Sequence, residues 1–264
     1  MARPAHEFPY FSQATPIGLA HRGGATHEPN RGRENTVTAF REAVAMGFRY
    51  LETDVHATSD GELIAFHDDV LDRVTDGTGR IADLPWSTVT RARIAGEEIP
   101  TLAQILEEFP ETRINIDVKA PGAVDPLVAT IVAHGAIDRV CVGSFSDHRL
   151  RAVRRQLGPR LATSAGPAGV AALRLTPALV SRVLHSPAQA LQIPVSQRIA
   201  GRDLTLVTPR LIETAHRLGK HVHVWTIDEA AEMHRLLDLG VDGLVSDRID
   251  ILRDVLAERG TPLG

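Results

Sequence analysis

The chain has 264 residues, of which 43% are hydrophobic and 23% charged, and this composition indicates one large globular domain and excludes a disordered or fibrous chain. The formal net charge of −4 argues against a nucleic-acid partner, and the single cysteine, Cys141, excludes an internal disulfide and a multi-cysteine metal site. No apolar run approaches the length of a membrane span and residues 1–16 lack the apolar core of a secretory signal, so we expect a cytoplasmic protein without stable membrane insertion.

Short apolar runs alternate with amphipathic segments along the whole chain. The runs predict eight strands, which are Ile17–Ala20, Tyr50–His56, Arg113–Val118, Val140–Gly143, Leu161–Ser164, Ala190–Ile193, His221–Thr226 and Gly243–Ser246. Apolar residues at helical spacing predict helices at Thr36–Met46, Val124–Ala133, Pro209–Leu218, Glu229–Leu239 and Ile249–Glu258. Thr208 is expected to cap one helix, and Ser146 or Asp147 to cap another.

Strands that alternate with helices predict a parallel sheet, because parallel neighbours need a crossover connection. Eight strands in 264 residues favour a closed (β/α)8 TIM barrel, with a doubly wound open sheet as the alternative. The alternation of strands and helices is interrupted after the second strand. There, Ser59–Gly61 predicts a turn and Glu62–His67 predicts a short returning strand. We interpret residues from about 68 to 100 as a small insertion over the barrel mouth within a single domain spanning residues 1–264.

The second predicted strand carries acidic residues where a barrel strand is expected to be apolar. Alternate residues of a strand share a face, so Glu52, Asp54 and His56 are expected to point the same way. Two carboxylates cannot both remain ionised in a dry core without a compensating cation. We interpret the pair as metal ligands at the end of the strand, with ion pairs to rim arginines as the alternative.

The third predicted strand repeats this arrangement with Asn115, Asp117 and Lys119 on one face. Asp117 supplies a third carboxylate for the same metal in this interpretation, and an ion pair between Asp117 and Lys119 or an arginine is the alternative. Carboxylate ligands without cysteine select Mg²⁺, Ca²⁺ or Mn²⁺ rather than zinc.

Two histidines follow predicted strands and are candidates for acid–base chemistry. His21 and Arg22 end the first strand before two glycines. This pattern favours anion binding, because arginine binds phosphate through paired hydrogen bonds. His67 ends the returning strand, and two imidazoles at one mouth can divide the roles of general acid and base. His27 and Glu28 are expected to be solvated, and Cys141 to be a core residue.

Seven motifs occur in a fixed order: HRGG, RENT, ETD, DGELIAFHDD, NIDVK, VHVWTID and VDGLVSDR. In this order and at these spacings, from His21 to about Asp247, the chain resembles the glycerophosphodiester phosphodiesterase family. The resemblance implies a (β/α)8 barrel with a small insertion after the second strand, in agreement with the pattern of elements. It also implies hydrolysis of glycerophosphodiesters to glycerol 3-phosphate and an alcohol.

The resemblance assigns roles to ten residues. It implies a divalent cation, Ca²⁺ or Mg²⁺, held at Glu52, Asp54 and Asp117, and an acid–base pair formed by His21 and His67. The remaining residues would bind phosphate or shape the substrate pocket, and these are Arg22, Lys119, Glu34, Asn35 and Trp225. The family commonly has glutamate where this chain has Asp117, and proline where it has Arg33.

Two other functions are open at this point. One is a lysophospholipase D or a cyclising phospholipase on the same barrel, for which Leu84, Pro85, Trp86 and Ile94 of the insertion offer a modest apolar rim. The other is a barrel that binds a phosphorylated ligand without turnover. The sequence also leaves open the alcohol head group, the metal, which histidine is the base, and the oligomeric state.

Overall fold

A computed structural model gives the fold of the chain and describes residues 3–175, 186–199, 201–261 and 263. Eight parallel strands form its centre, each beside the next in chain order. They are β1 (Ile17–His21), β2 (Tyr50–Ala57), β3 (Arg113–Val118), β4 (Val140–Gly143), β5 (Ala162–Thr163), β6 (Ala190–Pro194), β7 (His221–Trp225) and β8 (Gly243–Ser246). β8 pairs with β1, and a bridge between Ser164 and Ala190 joins β5 to β6. The predicted barrel is therefore confirmed, and the open sheet is not observed.

Helices surround the barrel and follow its strands. They are α1 (Val37–Ala45), α2 (Trp86–Val89), α3 (Leu102–Glu108), α4 (Val124–Ala133), α5 (Asp147–Leu157), α6 (Pro167–Leu175), α7 (Pro209–Arg217), α8 (Ala230–Asp238) and α9 (Ile249–Glu258). The predicted caps are present, since the hydroxyl of Ser146 accepts from the Arg149 amide and that of Thr208 from the Leu211 amide. Each cap satisfies an amide that the first helical turn leaves unpaired. Among the described residues, no helix is long and apolar enough to span a membrane.

The segment before β1 packs against residues at the amino ends of the strands. Its short helical turns, Ala5–Glu7 and Pro9–Phe11, place Phe8, Tyr10 and Phe11 in a buried cluster with residues of the barrel strands. The hydroxyl of Tyr50 donates to the carbonyl oxygen of Tyr10 at 2.7 Å. Cys141 is fully buried in the same cluster, which confirms its prediction as a core residue. This cluster therefore forms a closely packed apolar layer at the amino ends of the barrel strands.

The predicted returning strand is present as Leu63–Ala65, antiparallel to β2. The residues that follow it contain α2 and a small hairpin formed by Arg93–Ile94 and Glu97–Glu98. They also build a hydrophobic cluster of their own, which includes Ile64, Phe66, Leu71, Ile81, Val89, Ile94 and Ile99. This cluster explains why the segment holds a fixed shape although its sequence shows little periodicity.

A second hairpin lies between β6 and α7. It pairs Ser196–Ile199 with Arg202–Thr205, and we call it the 196–205 hairpin. Neither this hairpin nor α6 was predicted from the sequence. Both lie beside the cavity described below.

Candidate active site

A cavity of about 470 Å³ opens at the carboxyl ends of the barrel strands. This is the end of such barrels where active sites form. The cavity is lined by residues of β1 to β4 and β6 to β8, and by His67, which follows the returning strand. Eight of the ten residues to which the resemblance assigns roles line it, and these are His21, Arg22, Glu52, Asp54, His67, Asp117, Lys119 and Trp225.

The turn after β1 owes its shape to the two glycines of the HRGG motif. Arg22, Gly23 and Gly24 all have positive φ, at 50°, 84° and 89°. A β-carbon on Gly23 would lie 2.7 Å from that of Ala39 in α1, and one on Gly24 would lie 2.7 Å from the side chain of Ile249 in α9. Glycine therefore lets the turn pack between two helices while it carries Arg22 into the cavity.

His21 is held by a carboxylate from the neighbouring strand. Its Nδ1 lies 2.8 Å from Asp247 Oδ1, just after β8, and its Nε2 lies 3.7 Å from Glu52 Oε2. A carboxylate only accepts hydrogen bonds, so Nδ1 carries the proton and Nε2 is left for chemistry. Burial lowers the pKa of His21, but Glu52 and Asp247 outweigh it, and the pKa is raised above the ordinary value.

His67 has the same arrangement on the other side of the cavity. Its Nδ1 lies 2.6 Å from Asp68 Oδ1, which again leaves Nε2 free. Asp68 in turn accepts from Arg73 at 2.6 Å. The hydrogen bond from Arg73, together with that from His67, lowers the pKa of Asp68 to about 2. The sequence analysis singled out neither Asp68, Asp247 nor Arg73 for a role.

Glu34 and Asn35 lie behind the cavity and do not line it. Glu34 accepts from Arg22 at 3.2 Å and from both terminal nitrogens of Arg73 at 2.9 and 2.7 Å. Asn35 has a φ of 61°; its backbone amide donates to the Arg22 carbonyl and its side-chain oxygen accepts from Thr53. These contacts fix the turn that carries His21 and Arg22.

The acidic residues of β2 and β3 lie side by side. Asp54 and Asp117 are register partners, and Glu52 pairs in register with Asn115. The Lys119 ammonium lies between Asp54 and Asp117, 2.8 and 2.7 Å from their oxygens, and Arg22 Nε lies 3.2 Å from Asp54. Burial raises the pKa of Asp54, but Lys119 and Arg22 outweigh it and the pKa is lowered. In this structure the two aspartates make the ion pairs that were the alternative interpretation of each strand.

Two observations nevertheless fit a cation at these carboxylates. Burial and the charge of Asp54 raise the pKa of Glu52 to about 7, which a positive ion would reverse. Asp117 Oδ1 is buried and has no hydrogen-bond partner. Across residues 3–175, 186–199, 201–261 and 263, no three acidic, histidine or cysteine side chains are arranged to hold a metal ion. The donor chemistry therefore fits a hard cation, but the three carboxylates do not converge while Lys119 lies between two of them.

Two expectations about neighbouring residues are corrected, those for His27 and for the apolar rim of the insertion, and the structure also places His56. His27 is not solvated: its side chain is 12% exposed and lies 3.7 Å from Glu42 and 3.6 Å from Asp250. His56 is buried and does not line the cavity; its Nε2 donates to the His67 carbonyl at 3.1 Å. The proposed apolar rim in the insertion does not line the cavity either, because Ile94 is buried and Leu84 and Trp86 pack against the cluster of that segment.

The cavity has a polar floor and an apolar wall. On the floor, Gln192 donates to the side-chain oxygen of Asn115 at 2.7 Å, and its amide nitrogen lies 3.4 Å from His223. On the wall, Phe145 meets Trp225 edge to face with ring centroids 5.6 Å apart. One end of a bound molecule would thus meet hydrogen-bonding groups, and another end would meet aromatic and aliphatic surface.

The fold and the cavity together define a (β/α)8-barrel protein whose cavity contains two cationic side chains, Arg22 and Lys119, and two oriented imidazoles. The model of the glycerophosphoryl diester phosphodiesterase family matches residues 21–251. The chain belongs to this family and is an enzyme of phosphodiester cleavage, as its motifs led us to expect.

Known proteins resemble the chain over most of its length. The protein named "Probable glycerophosphodiester phosphodiesterase 2" of Mycobacterium tuberculosis is 41% identical over 249 residues, which cover 92% of each chain. Two solved structures share the fold. A glycerophosphodiester phosphodiesterase from Agrobacterium tumefaciens has a TM-score of 0.73 at 23% identity, covering 91% of this chain and 99% of the other. An Oleispira antarctica phosphodiesterase in complex with the product sn-glycerol-3-phosphate has a TM-score of 0.74 at 22% identity, covering 92% and 97%.

Proposed function

We propose that the protein hydrolyses glycerophosphodiesters to glycerol 3-phosphate and an alcohol, with His21 and His67 as the acid–base pair. The observation that carries this proposal is the matching orientation of the two imidazoles. Asp247 and Asp68 each hold an Nδ1, so that both Nε2 atoms are left for proton transfer in one cavity. A protein that only bound its ligand would not need two histidines held in this way.

Arg22 and Lys119 provide the positive charge for the substrate. Both line the cavity between the two histidines and the acidic residues. Their side chains would hold the phosphate and stabilise the negative charge that builds on its oxygens during the reaction. In this structure they pair with Asp54 and Asp117, so binding of the phosphate requires them to exchange or share these partners.

The reaction proceeds in two steps in our proposal. One histidine removes the proton from the glycerol hydroxyl next to the phosphate, and its oxygen attacks phosphorus. The bond from phosphorus to the alcohol oxygen breaks, and the other histidine gives that oxygen a proton. Water then opens the cyclic phosphate with the two histidine roles exchanged, which gives glycerol 3-phosphate.

Glu52, Asp54 and Asp117 are the residues that would hold a divalent cation, Ca²⁺ or Mg²⁺. When bound there, the cation supplies positive charge against the phosphate oxygens. The raised pKa of Glu52 and the unpartnered oxygen of Asp117 support this assignment. Asp117 replaces the longer glutamate common in the family, so its carboxylate reaches one methylene less far from β3.

We also infer that the whole chain acts as one domain, in which residues 68–100 border the mouth. Arg73 supports this inference, because this residue of the inserted segment contacts Glu34 after β1. Removal of the segment would therefore also remove a support of the active site.

Release of glycerol 3-phosphate from glycerophosphocholine tests the proposed function. The protein is assayed with saturating Mg²⁺ or Ca²⁺ and, in parallel, after treatment with a chelator, alongside His67→Gln. We expect release by the metal-loaded wild type, and loss of release in the chelator and in the variant. Full release in the chelator or by the variant would contradict the scheme. Ligand-dependent thermal stabilisation without product would favour a binding protein instead.

A further inference from the structure

The charged side chains that line the active-site cavity are unevenly distributed. All of its carboxylates lie on β2 and β3, where Arg22 and Lys119 form ion pairs with the two aspartates. A further cation, Arg174, lines the cavity from α6, which follows β5. In the part of the chain that the structure describes, Arg174 forms no ion pair. The cavity therefore contains one positive charge that no carboxylate of the protein balances.

The sequence supplies no acidic partner in the segments around Arg174. Aspartate and glutamate make up 33 of the 264 residues, yet neither occurs from residue 148 to residue 202. This stretch contains α6 and the first strand of the 196–205 hairpin, which both contribute lining residues. The acidic residue just before it, Asp147, accepts from the Ala168 amide at the start of α6 and does not line the cavity. Two walls of the cavity are thus built without negative charge.

The 196–205 hairpin places a second arginine on its cavity side. Gln197 and Leu204 are register partners and both line the cavity, so they mark the face of the hairpin that is turned toward it. Side chains alternate along a strand, so Arg202 lies on the same face as Leu204 and nearer to the turn. Arg198 and Asp203 are register partners on the opposite face, and neither lines the cavity.

The guanidinium of Arg174 is held in position without being neutralised. Its Nε donates to the Thr205 carbonyl at 3.2 Å, which connects α6 to the hairpin but supplies no negative charge. Val170, four residues earlier on the same side of α6, and the buried Leu206 give the cavity apolar surface here. A cation that is partly removed from water beside apolar groups favours a ligand that brings a counter-charge.

We propose that Arg174, with Arg202 beside it, is a specificity-determining residue that selects diesters whose alcohol carries an anionic group, either a carboxylate or a phosphate monoester. This inference rests on the proposed function. The phosphodiester would lie among the charged groups of the barrel strands, and the carbon stem of the alcohol would pass the apolar wall that includes Phe145 and Val170. The anionic group at the end of the stem then accepts hydrogen bonds from the Arg174 guanidinium.

The chemistry of cleavage is unchanged by this selection. Water still adds across the bond from phosphorus to the alcohol oxygen, and the products are glycerol 3-phosphate and the anionic alcohol. Arg174 acts on how tightly the alcohol is bound and takes no part in proton transfer. Diesters of uncharged or cationic alcohols are therefore still cleaved, but at a lower kcat/KM.

Two matched pairs of substrates measure the selection. Glycerophosphoserine and glycerophosphoethanolamine differ by one carboxylate, and glycerophosphoglycerol with and without a terminal phosphate differ by one phosphate monoester. The selectivity ratio is the kcat/KM of the anionic member divided by that of its partner, for the metal-loaded enzyme at low ionic strength. We expect a ratio of at least about tenfold in one pair or both, the effect of one charge-assisted hydrogen bond. The pair with the larger ratio identifies the preferred anion.

Variants of three arginines locate the selection in the structure. Arg174→Gln and Arg202→Gln remove a charge on the cavity side, whereas Arg198→Gln removes the same charge from the opposite face of the hairpin. We expect Arg174→Gln to lower the selectivity ratio by about tenfold and Arg202→Gln to lower it by a smaller factor. Arg198→Gln is expected to leave the ratio as in the wild type. Arg174→Lys keeps the charge and is expected to retain most of the ratio.

Other outcomes overturn the inference while the proposed function stands. One is a selectivity ratio near one for both substrate pairs. Another is a ratio that Arg174→Gln leaves unchanged because it lowers kcat/KM alike for both members of a pair, which would show that Arg174 only supports the hairpin through Thr205. Equal effects of Arg174→Gln and Arg198→Gln on the ratio would show a general effect of charge. Failure of the wild type to cleave any of these diesters would overturn the proposed function as well.

Discussion

Arg73 donates hydrogen bonds to both carboxylate oxygens of Glu34, at 2.9 and 2.7 Å, and thereby connects the inserted segment to the turn after β1. The same guanidinium donates to Asp68, which holds His67. Glu34 also accepts from Arg22, so one chain of ion pairs connects Arg22 to His67. The two sides of the proposed active site are thus positioned by a residue that does not line the cavity.

Arg73→Lys tests this positioning role. Lysine keeps the charge but cannot make the paired contacts of a guanidinium, so Glu34 and Asp68 lose their common support. We expect kcat for glycerophosphocholine to fall by about 10- to 100-fold, with a smaller change in KM. Arg80→Lys is the matched control, because Arg80 forms an exposed ion pair with Asp69 in the same segment. Equal activities of the two variants would contradict the role of Arg73.

Asp68→Asn and Asp247→Asn test how the imidazoles are oriented. An amide can donate to Nδ1, and the proton then moves to Nε2, where it blocks the proposed base. We expect each variant to lose about 100-fold or more in kcat. Asp242→Asn is the control, because Asp242 holds His216 at 2.8 Å near the amino ends of the strands. A loss of kcat in Asp242→Asn as large as in the other two would show a general structural effect instead.

The pKa of Glu52 predicts how the stability of the metal-free protein depends on pH. The folded protein binds a proton at Glu52 up to about pH 7, whereas the unfolded chain releases it near pH 4.5. Between these values the native state holds more protons, so the free energy of unfolding falls as pH rises. The raised pKa of His21 acts in the same direction, since its stabilising contribution is lost as pH rises through the folded value.

Glu52→Gln isolates this contribution. In the presence of a chelator, we expect the free energy of unfolding of the wild type to fall between pH 5 and 8 by on the order of 2 kcal/mol more than that of the variant. Saturating Mg²⁺ or Ca²⁺ is expected to raise the Tm of the wild type more at pH 8 than at pH 5. Parallel pH profiles for the two proteins in chelator would refute this account of Glu52.

Gly23→Ala tests the packing of the HRGG turn. Its φ of 84° disfavours any side chain, and the new methyl group would lie 2.7 Å from the β-carbon of Ala39. We expect a loss of about 1–3 kcal/mol in the free energy of unfolding measured by chemical denaturation. Gly122→Ala is the control, because a β-carbon there meets no atom within 4 Å. A similar stability for both variants would mean that the turn readjusts freely.

The barrel was predictable because its strands are buried on both faces and read as short apolar runs between amphipathic helices. α6 and the 196–205 hairpin were missed for a physical reason. Most side chains of the hairpin face solvent, and α6 offers apolar residues on two sides, so neither segment shows the pattern of a single buried face. The apolar wall of the cavity was accordingly expected in the insertion, which uses its apolar residues for its own cluster.

The cavity-lining residues were predictable from polar side chains at the ends of apolar strands, but their partners were not. Asp247 reaches His21 because β8 closes the ring beside β1, a contact between residues 226 positions apart. Asp68 and Arg73 depend on how the inserted segment folds back. A signal was present in the first case, since an aspartate directly follows the last predicted strand and must lie near the end of the first strand if the barrel closes.

A change of leaving group tests the proposal that His21 and His67 divide proton transfer between them. The kcat/KM of the wild type, His21→Gln and His67→Gln is measured on glycerophosphocholine and on the p-nitrophenyl ester of glycerol 3-phosphate, whose leaving group needs no proton. We predict that both variants lose about 100-fold or more on the choline ester, and that one of them regains most of its activity on the p-nitrophenyl ester. Wild-type rates in either variant on the choline ester, or equal losses of both variants on both substrates, would show that the two histidines do not divide proton transfer.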